Sequence, residues 1–115
     1  FEGAAAAARD LLSRKEKPDA IFVANDHMAF SVMDVIRDEA RLRIPEDISI
    51  VGYDDVPEAS WKAYDLTTVS QSPKRMIEEA VAILTEQIEE RAVRKRAAVL
   101  PAKIVLRGSA RIPKA

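Results

Sequence analysis

The apolar residues of this chain fall alternately into long stretches with helical spacing and short continuous runs. Ala4, Ala8, Leu11 and Leu12 share one helix face in an alanine-rich stretch. Alanine is the strongest helix former, so the stretch predicts a helix and not a low-complexity segment. Lys17-Pro18-Asp19 breaks it, and Ala20-Ile21-Phe22-Val23-Ala24 follows as an apolar run of the kind buried on both faces of a parallel sheet. Asn25 and Asp26 are good helix caps. Ala29, Val32, Met33, Ile36 and Ala40 then recur at i, i+3, i+4, i+7 and i+11, which predicts an amphipathic helix ending near Ala40.

Pro45 cannot extend a helix, and Ile48-Ser49-Ile50-Val51-Gly52 predicts a second buried strand running into Tyr53-Asp54-Asp55. A loop with Pro57 and Trp61 leads to a third β-prone run, Leu66-Thr67-Thr68-Val69. Ser72-Pro73 carries the N-cap and first-position signature of a helix whose buried stripe is expected at Ile77, Ala80, Val81, Leu84 and Ile88. Pro101 closes the connection, and Ile104-Val105-Leu106 is the last predicted strand before Gly108 and a polar tail. Helices alternating with short buried strands predict an α/β layer with right-handed crossovers.

Ligands of such sheets bind beyond the carboxyl ends of the strands. That rule selects Asn25-Asp26, Tyr53-Asp54-Asp55 and Ser70-Gln71. Asn25 and Gln71 each donate and accept, and Asp54 can accept from two hydroxyls, which suits the mixed hydroxyls of a sugar or nucleoside. The set reads as recognition and not turnover, so no catalytic residue is expected. Competing roles stand beside these: Asn25 and Asp26 as helix caps, Asp54 as part of a solvated turn, and Asp55 more readily so. His27, beside Asp26, reads as an exposed histidine in a first helical turn ahead of an acid–base pair.

Composition narrows the partners. The 18 basic and 19 acidic residues leave a net charge of −1, so no global field favours nucleic acid or an anionic membrane. Cysteine is absent, which excludes disulfides and thiolate metal sites and fits a reducing or an oxidising compartment. No apolar run approaches the roughly 20 residues that span a bilayer, and Phe1-Glu2-Gly3 does not resemble a signal peptide. With three glycines and no phosphate-loop spacing, dinucleotide binding by that route is excluded. Neither cofactor nor metal is expected. Arg91, Arg94, Lys95 and Arg96 read as a solvated helix end complementing the dipole, with Glu90 pairing to Arg94, ahead of a nucleic-acid patch. Aspartates at strand ends also allow a receiver-like phosphoacceptor, although receivers carry their acidic pair after the first strand and here it follows the second.

Three segments in order, Pro18 to Asp26, Ile44 to Asp55, and Leu66 to Gln71, closed by Arg107-Gly108-Ser109, resemble the signatures of LacI/GalR-type transcription regulators. The likeness covers essentially the whole chain. It implies a periplasmic binding protein-like type I fold, a three-layer parallel-sheet sandwich, present here as an incomplete piece. Residues 1–71 would be C-terminal lobe, 72–100 a helix and connection that pack on the N-terminal lobe, and 101–115 the final strand and tail. The implied role is a cytoplasmic, non-enzymatic sensor of a sugar or nucleoside-like effector, dimeric, with no membrane partner. Operator DNA would be reached only through a helix-turn-helix headpiece outside this sequence. The same resemblance implies effector contacts at Asn25, Asp54 and Gln71, supported from behind by Asp26 and Tyr53, with subunit pairing at Phe30 and Trp61. A periplasmic sugar-binding protein of a transporter is the alternative. Arg41 departs from a glycine common in the family, where positive φ would cost a non-glycine on the order of 1 kcal/mol. Ser31 and Ile77 replace two more glycines and are expected to alter close helix packing.

Overall fold

A computed structural model of the chain describes residues 1–90 and 97–113, which divide into two compact units: Phe1–Ser70 with Ile104–Ala115, and Gln71–Lys103. In the first unit, α1 spans Glu2–Ser13 and buries Ala4, Ala5, Ala8 and Leu12. Three of those four side chains are methyl groups, so α2 (Asp26–Asp34) can approach closely. Ser31 of α2 uses that proximity, its hydroxyl donating to the Phe1 carbonyl at 3.1 Å. The strands are β1 (Ala20–Phe22), β2 (Ser49–Val51), β3 (Thr68–Ser70) and β4 (Lys103–Val105). β1 and β2 are parallel, with Ala20 opposite Ser49, Ile21 opposite Ile50 and Phe22 opposite Val51. Parallel bridges Val51–Thr67 and Asp54–Ser70 extend the sheet to β3, which pairs with β4.

The core of this unit draws Ala29, Phe30, Val32 and Met33 from α2, Ile36 from the turn after it, and Ile48 and Ile50 from around β2. Met33, Ile36 and Ile50 are fully buried, each worth about 1.5–3 kcal/mol of transfer free energy. The stripe expected on α2 is therefore the face that packs. Its end differs from expectation: residues Val35–Glu39 widen into a π-helical turn. The Ala40 N–H bonds the Val35 carbonyl at 3.0 Å, and the Leu42 N–H reaches back to the Ile36 carbonyl at 2.9 Å. Between them Arg41 holds φ of 57°, so the left-handed position is kept despite its side chain.

The burial expected on both faces of β1 is not found. Phe22 is 65% exposed and Ala20 and Ala24 are exposed, whereas Ile21 is half-buried and Val23 buried, so one face of the run is covered and the alternate face is not. β2, with neighbours on both sides, buries Ser49 and Ile50.

In the second unit α3 spans Pro73–Glu90. Ser72, expected as an ordinary cap, has φ of 52°, outside the extended conformation a cap usually adopts. None of the α3 residues is buried, and Ile77, Val81, Leu84 and Ile88 are all more than half exposed, against the expected buried stripe. Among the described residues no apolar layer covers that face; Met76, Ala80 and Ile83 line an open cleft together with Ala98 and Leu100. The basic cluster Arg91, Arg94, Lys95 and Arg96 lies outside the described residues. Among those described, no helix is long and apolar enough to cross a membrane.

Candidate ligand-binding edge

Hydrogen bonds join the carboxyl ends of β1, β2 and β3 in series. After β1 the chain enters α2, and the Asp26 N–H bonds the Tyr53 carbonyl at 3.0 Å, tying that entry to the segment after β2. The Asp54 N–H bonds the Val69 carbonyl at 2.9 Å, tying the same segment to β3. Gln71 follows β3 directly and opens the second unit. Asn25, Tyr53 and Asp54 thus lie on one edge of the first unit.

Asn25 does cap α2: its backbone is extended and its Oδ1 accepts the Met28 N–H at 2.9 Å, while its Nδ2 lies 3.3 Å from the Met28 sulfur. Asp26, the other cap candidate, has a different task. Its carboxylate is fully buried; Oδ1 accepts the Thr68 hydroxyl at 2.6 Å and Oδ2 the Val56 N–H at 3.0 Å. One side chain therefore ties the segment after β1 to the loop after β2 and to the start of β3. Gly52 makes room for it, since a Cβ there would collide with Asp26 Oδ1 and stand 3.0 Å from Leu66 Cδ2.

Asp54 and Asp55 occupy a backbone that L-residues rarely adopt, with φ of 127° and 60°. Such conformations cost on the order of 1–3 kcal/mol each and persist where the surroundings over-determine them. The solvated turn favoured for Asp55 is not what the structure holds. Its Oδ1 accepts from Arg107 Nη2 at 2.8 Å, with the two side chains only 25% and 18% exposed, and Arg107 Nη1 donates to the Leu66 carbonyl at 2.9 Å. The physical reason is proximity to the closing segment: Thr67 Oγ1 accepts the Arg107 N–H and donates to the Arg107 carbonyl, locking residue 107 beside β3. Sequence reasoning saw Arg107-Gly108-Ser109 as a family signature without a task. Ser109 stitches as well, its buried Oγ donating to the Ile50 carbonyl and accepting the Thr67 N–H.

His27 is exposed, with its ring edge-on to Phe30 at 5.9 Å. Phe30 is buried and stacks on Tyr64 with ring centroids 4.3 Å apart, whereas Trp61 is 56% exposed. Among the described residues no group of three His, Asp or Glu side chains is placed to hold a metal ion.

A periplasmic binding protein-like domain family matches residues 1–110. The chain belongs to that family. Its periplasmic binding protein-like fold is shared with solved structures of transcription regulators. The LacI transcriptional regulator from a Rhodococcus species superposes with a TM-score of 0.85 at 32% identity, covering 95% of this chain and 40% of that one. The complex of the regulator CelR with cellobiose gives 0.86 at 32% identity, over 95% of this chain and 33% of that one. Among curated relatives, the ribose operon repressor of Escherichia coli (strain K12) is 36% identical over 110 residues, 96% of this chain and 33% of the relative. The periplasmic binding protein-like domain seen here thus spans about a third of the length of the curated relatives it matches.

Proposed function

We propose that this chain is part of the effector-sensing core of a DNA-binding transcription repressor, and that Asn25, Asp54 and Gln71 contact a small hydroxylated effector. The observation that carries the reading is the edge itself: Asp54 stands beyond β2 on a rare backbone, hydrogen-bonded to β3, next to the Asn25 entry to α2. A carboxylate carried on a backbone held in this way can accept ligand hydroxyls, and Asn25 can add a donor. A relative named for a ribose operon and a solved regulator in complex with cellobiose make a sugar the favoured class. The same relatives favour a cytoplasmic repressor over a transport receptor and over an enzyme.

In this reading residues 1–71 and 101–115 belong to one lobe, and residues 72–100 meet the other, which lies outside the chain. Effector held between lobes shifts their relation and with it the affinity of distant headpieces for operator DNA. Asp26 and Tyr53 support the contacts from behind. Two copies pair through the Trp61 loop. Phe30 is the second residue assigned to that pairing; it is buried and stacked on Tyr64, whose N–H bonds the Trp61 carbonyl at 2.9 Å.

The test is calorimetry on the full-length protein with D-ribose and cellobiose. Asp54→Ala is expected to remove about 1.5–3 kcal/mol, roughly tenfold to a hundredfold in affinity. An unchanged affinity in a folded Asp54→Ala variant rejects the site. With its charge of −1, the 115-residue chain alone is expected to show no sequence preference in DNA binding, and specific operator retention by it would reject the division of labour.

A further inference from the structure

We infer that Arg107 is a positioning residue for the ligand-binding turn: its guanidinium, clamped between the Leu66 carbonyl and the Asp55 carboxylate, holds Asp54 in the conformation that faces the ligand. The inference rests on the reading of Asp54 as a ligand contact. Two successive aspartates at φ of 127° and 60° do not hold this backbone by their own preference. The turn is gripped at three points. Ahead of it the Asp54 N–H bonds the Val69 carbonyl, behind it the Val56 N–H bonds Asp26 Oδ2, and at its apex the Asp55 carboxylate meets Arg107 Nη2 at 2.8 Å. Arg107 is itself immobilised, since its other terminal nitrogen bonds the Leu66 carbonyl and its backbone is bonded in both directions to Thr67 Oγ1. A guanidinium suits the place because it presents two donors in fixed directions, one for a carbonyl and one for a carboxylate; an ammonium does not. Asp55 then has a role distinct from Asp54, anchoring and not recognition. Two adjacent acidic residues divide the work.

The experiment compares the full-length protein with Arg107→Met, Asp55→Asn and the double variant, read by hydrogen exchange of the peptide covering residues 53–57 and by titration with D-ribose. Arg107→Met is expected to raise exchange in that peptide about tenfold while exchange in α1 and α2 stays as in the parent. Ribose affinity is expected to fall about tenfold, and the double variant to lose no more than the worse single one, because both changes open the same clasp. Unchanged exchange at 53–57, or an equal rise throughout the first unit, overturns the inference, the second outcome marking an ordinary stabilising ion pair. If the parent protein does not bind ribose, that result counts against ribose as effector, and the exchange data still decide the clasp. If Asp54→Ala loses ribose and Arg107→Met does not, the site stands and Arg107 has no part in it.

Discussion

Helices α2 and α3 carry the same kind of apolar stripe and meet different fates. On α2, Ala29, Val32 and Met33 sit against α1 and the sheet and are buried. On α3, Ile77, Val81, Leu84 and Ile88 repeat at i, i+4, i+7 and i+11 and remain exposed. Periodicity says which face of a helix is apolar; it does not say whether the covering layer lies in the same stretch of chain. The first unit is a region whose burial is settled internally, and in the second the apolar face of α3 stays uncovered among the described residues.

The largest effect expected from this contrast is at Met33, which is fully buried. Met33→Ala is expected to cost about 2–5 kcal/mol by urea unfolding, while Leu84→Ala in the 115-residue chain stays within about 0.5 kcal/mol. Repeating Leu84→Ala in the full-length protein sharpens the point, because a cost of about 2 kcal/mol or more there shows that a layer outside this chain covers α3. Equal and small costs at Met33 and Leu84 break the comparison.

Next comes Gly52, where the tightness of the first unit is set by a side chain and not by the glycine's own backbone. A methyl group there would collide with Asp26 Oδ1, a buried atom already engaged with Thr68. Gly52→Ala is expected to destabilise by about 1–3 kcal/mol. A neutral Gly52→Ala, measured by thermal unfolding, means that Asp26 is free to shift and holds the loop after β2 and the start of β3 less firmly than the bonds imply.

Much of this fold was legible in the sequence, for physical reasons that differ by element. The α1 and α2 stripes and the β2 run predicted burial correctly because each has its cover within the first unit. β1 misled because an apolar run cannot report whether a layer covers one face of the strand or both. For the edge, Asn25 and Asp54 were selected by the strand-end rule, and the linking of their segments rests on backbone bonds that the rule anticipates. The buried carboxylate of Asp26 and the grip of Arg107 on Asp55 were not legible. Asp26 and Thr68 are 42 residues apart and Asp55 and Arg107 are 52 apart, and no local spacing encodes such pairings. The only available signal was the arginine of Arg107-Gly108-Ser109, a charged group in an otherwise small closing motif.

Arg41 offers a smaller test, in the opposite direction. It holds φ of 57° at the end of the π turn, where the Leu42 N–H closes onto Ile36. Arg41→Gly relieves the left-handed strain at some cost in unfolded-state entropy, and a gain of about 0.5–1 kcal/mol in unfolding free energy is expected. A loss instead of a gain shows that the Arg41 side chain makes a contact worth more than the strain.

The smallest effect is expected at Asp34, at the C-terminal end of α2 and on its exposed side. Partial burial, with the negative charge of Asp38 adding to it against a smaller opposing pull from Arg37, raises its carboxyl above the usual range. A folded-state pKa above the unfolded one means that the folded form binds the proton more tightly, so stability from this group falls as pH rises through the folded pKa. At neutral pH the ionised carboxylate therefore carries a small penalty. Asp34→Asn removes it and is expected to stabilise at pH 7, within about 0.5 kcal/mol for so exposed a position. The gain should fade as pH is lowered past the ordinary carboxylate pKa of about 4. Glu39, one turn further on, runs the other way: its hydrogen bond from Arg9 holds its carboxyl below the usual range, so its contribution is present at neutral pH and lost on acidification. Unfolding of the Asp34→Asn and Glu39→Gln variants between pH 3 and 7 separates the two, because their differences from the parent have opposite signs at pH 7 and both vanish in acid. A destabilised Asp34→Asn at pH 7 would mean that this carboxylate makes a favourable contact stronger than its burial cost.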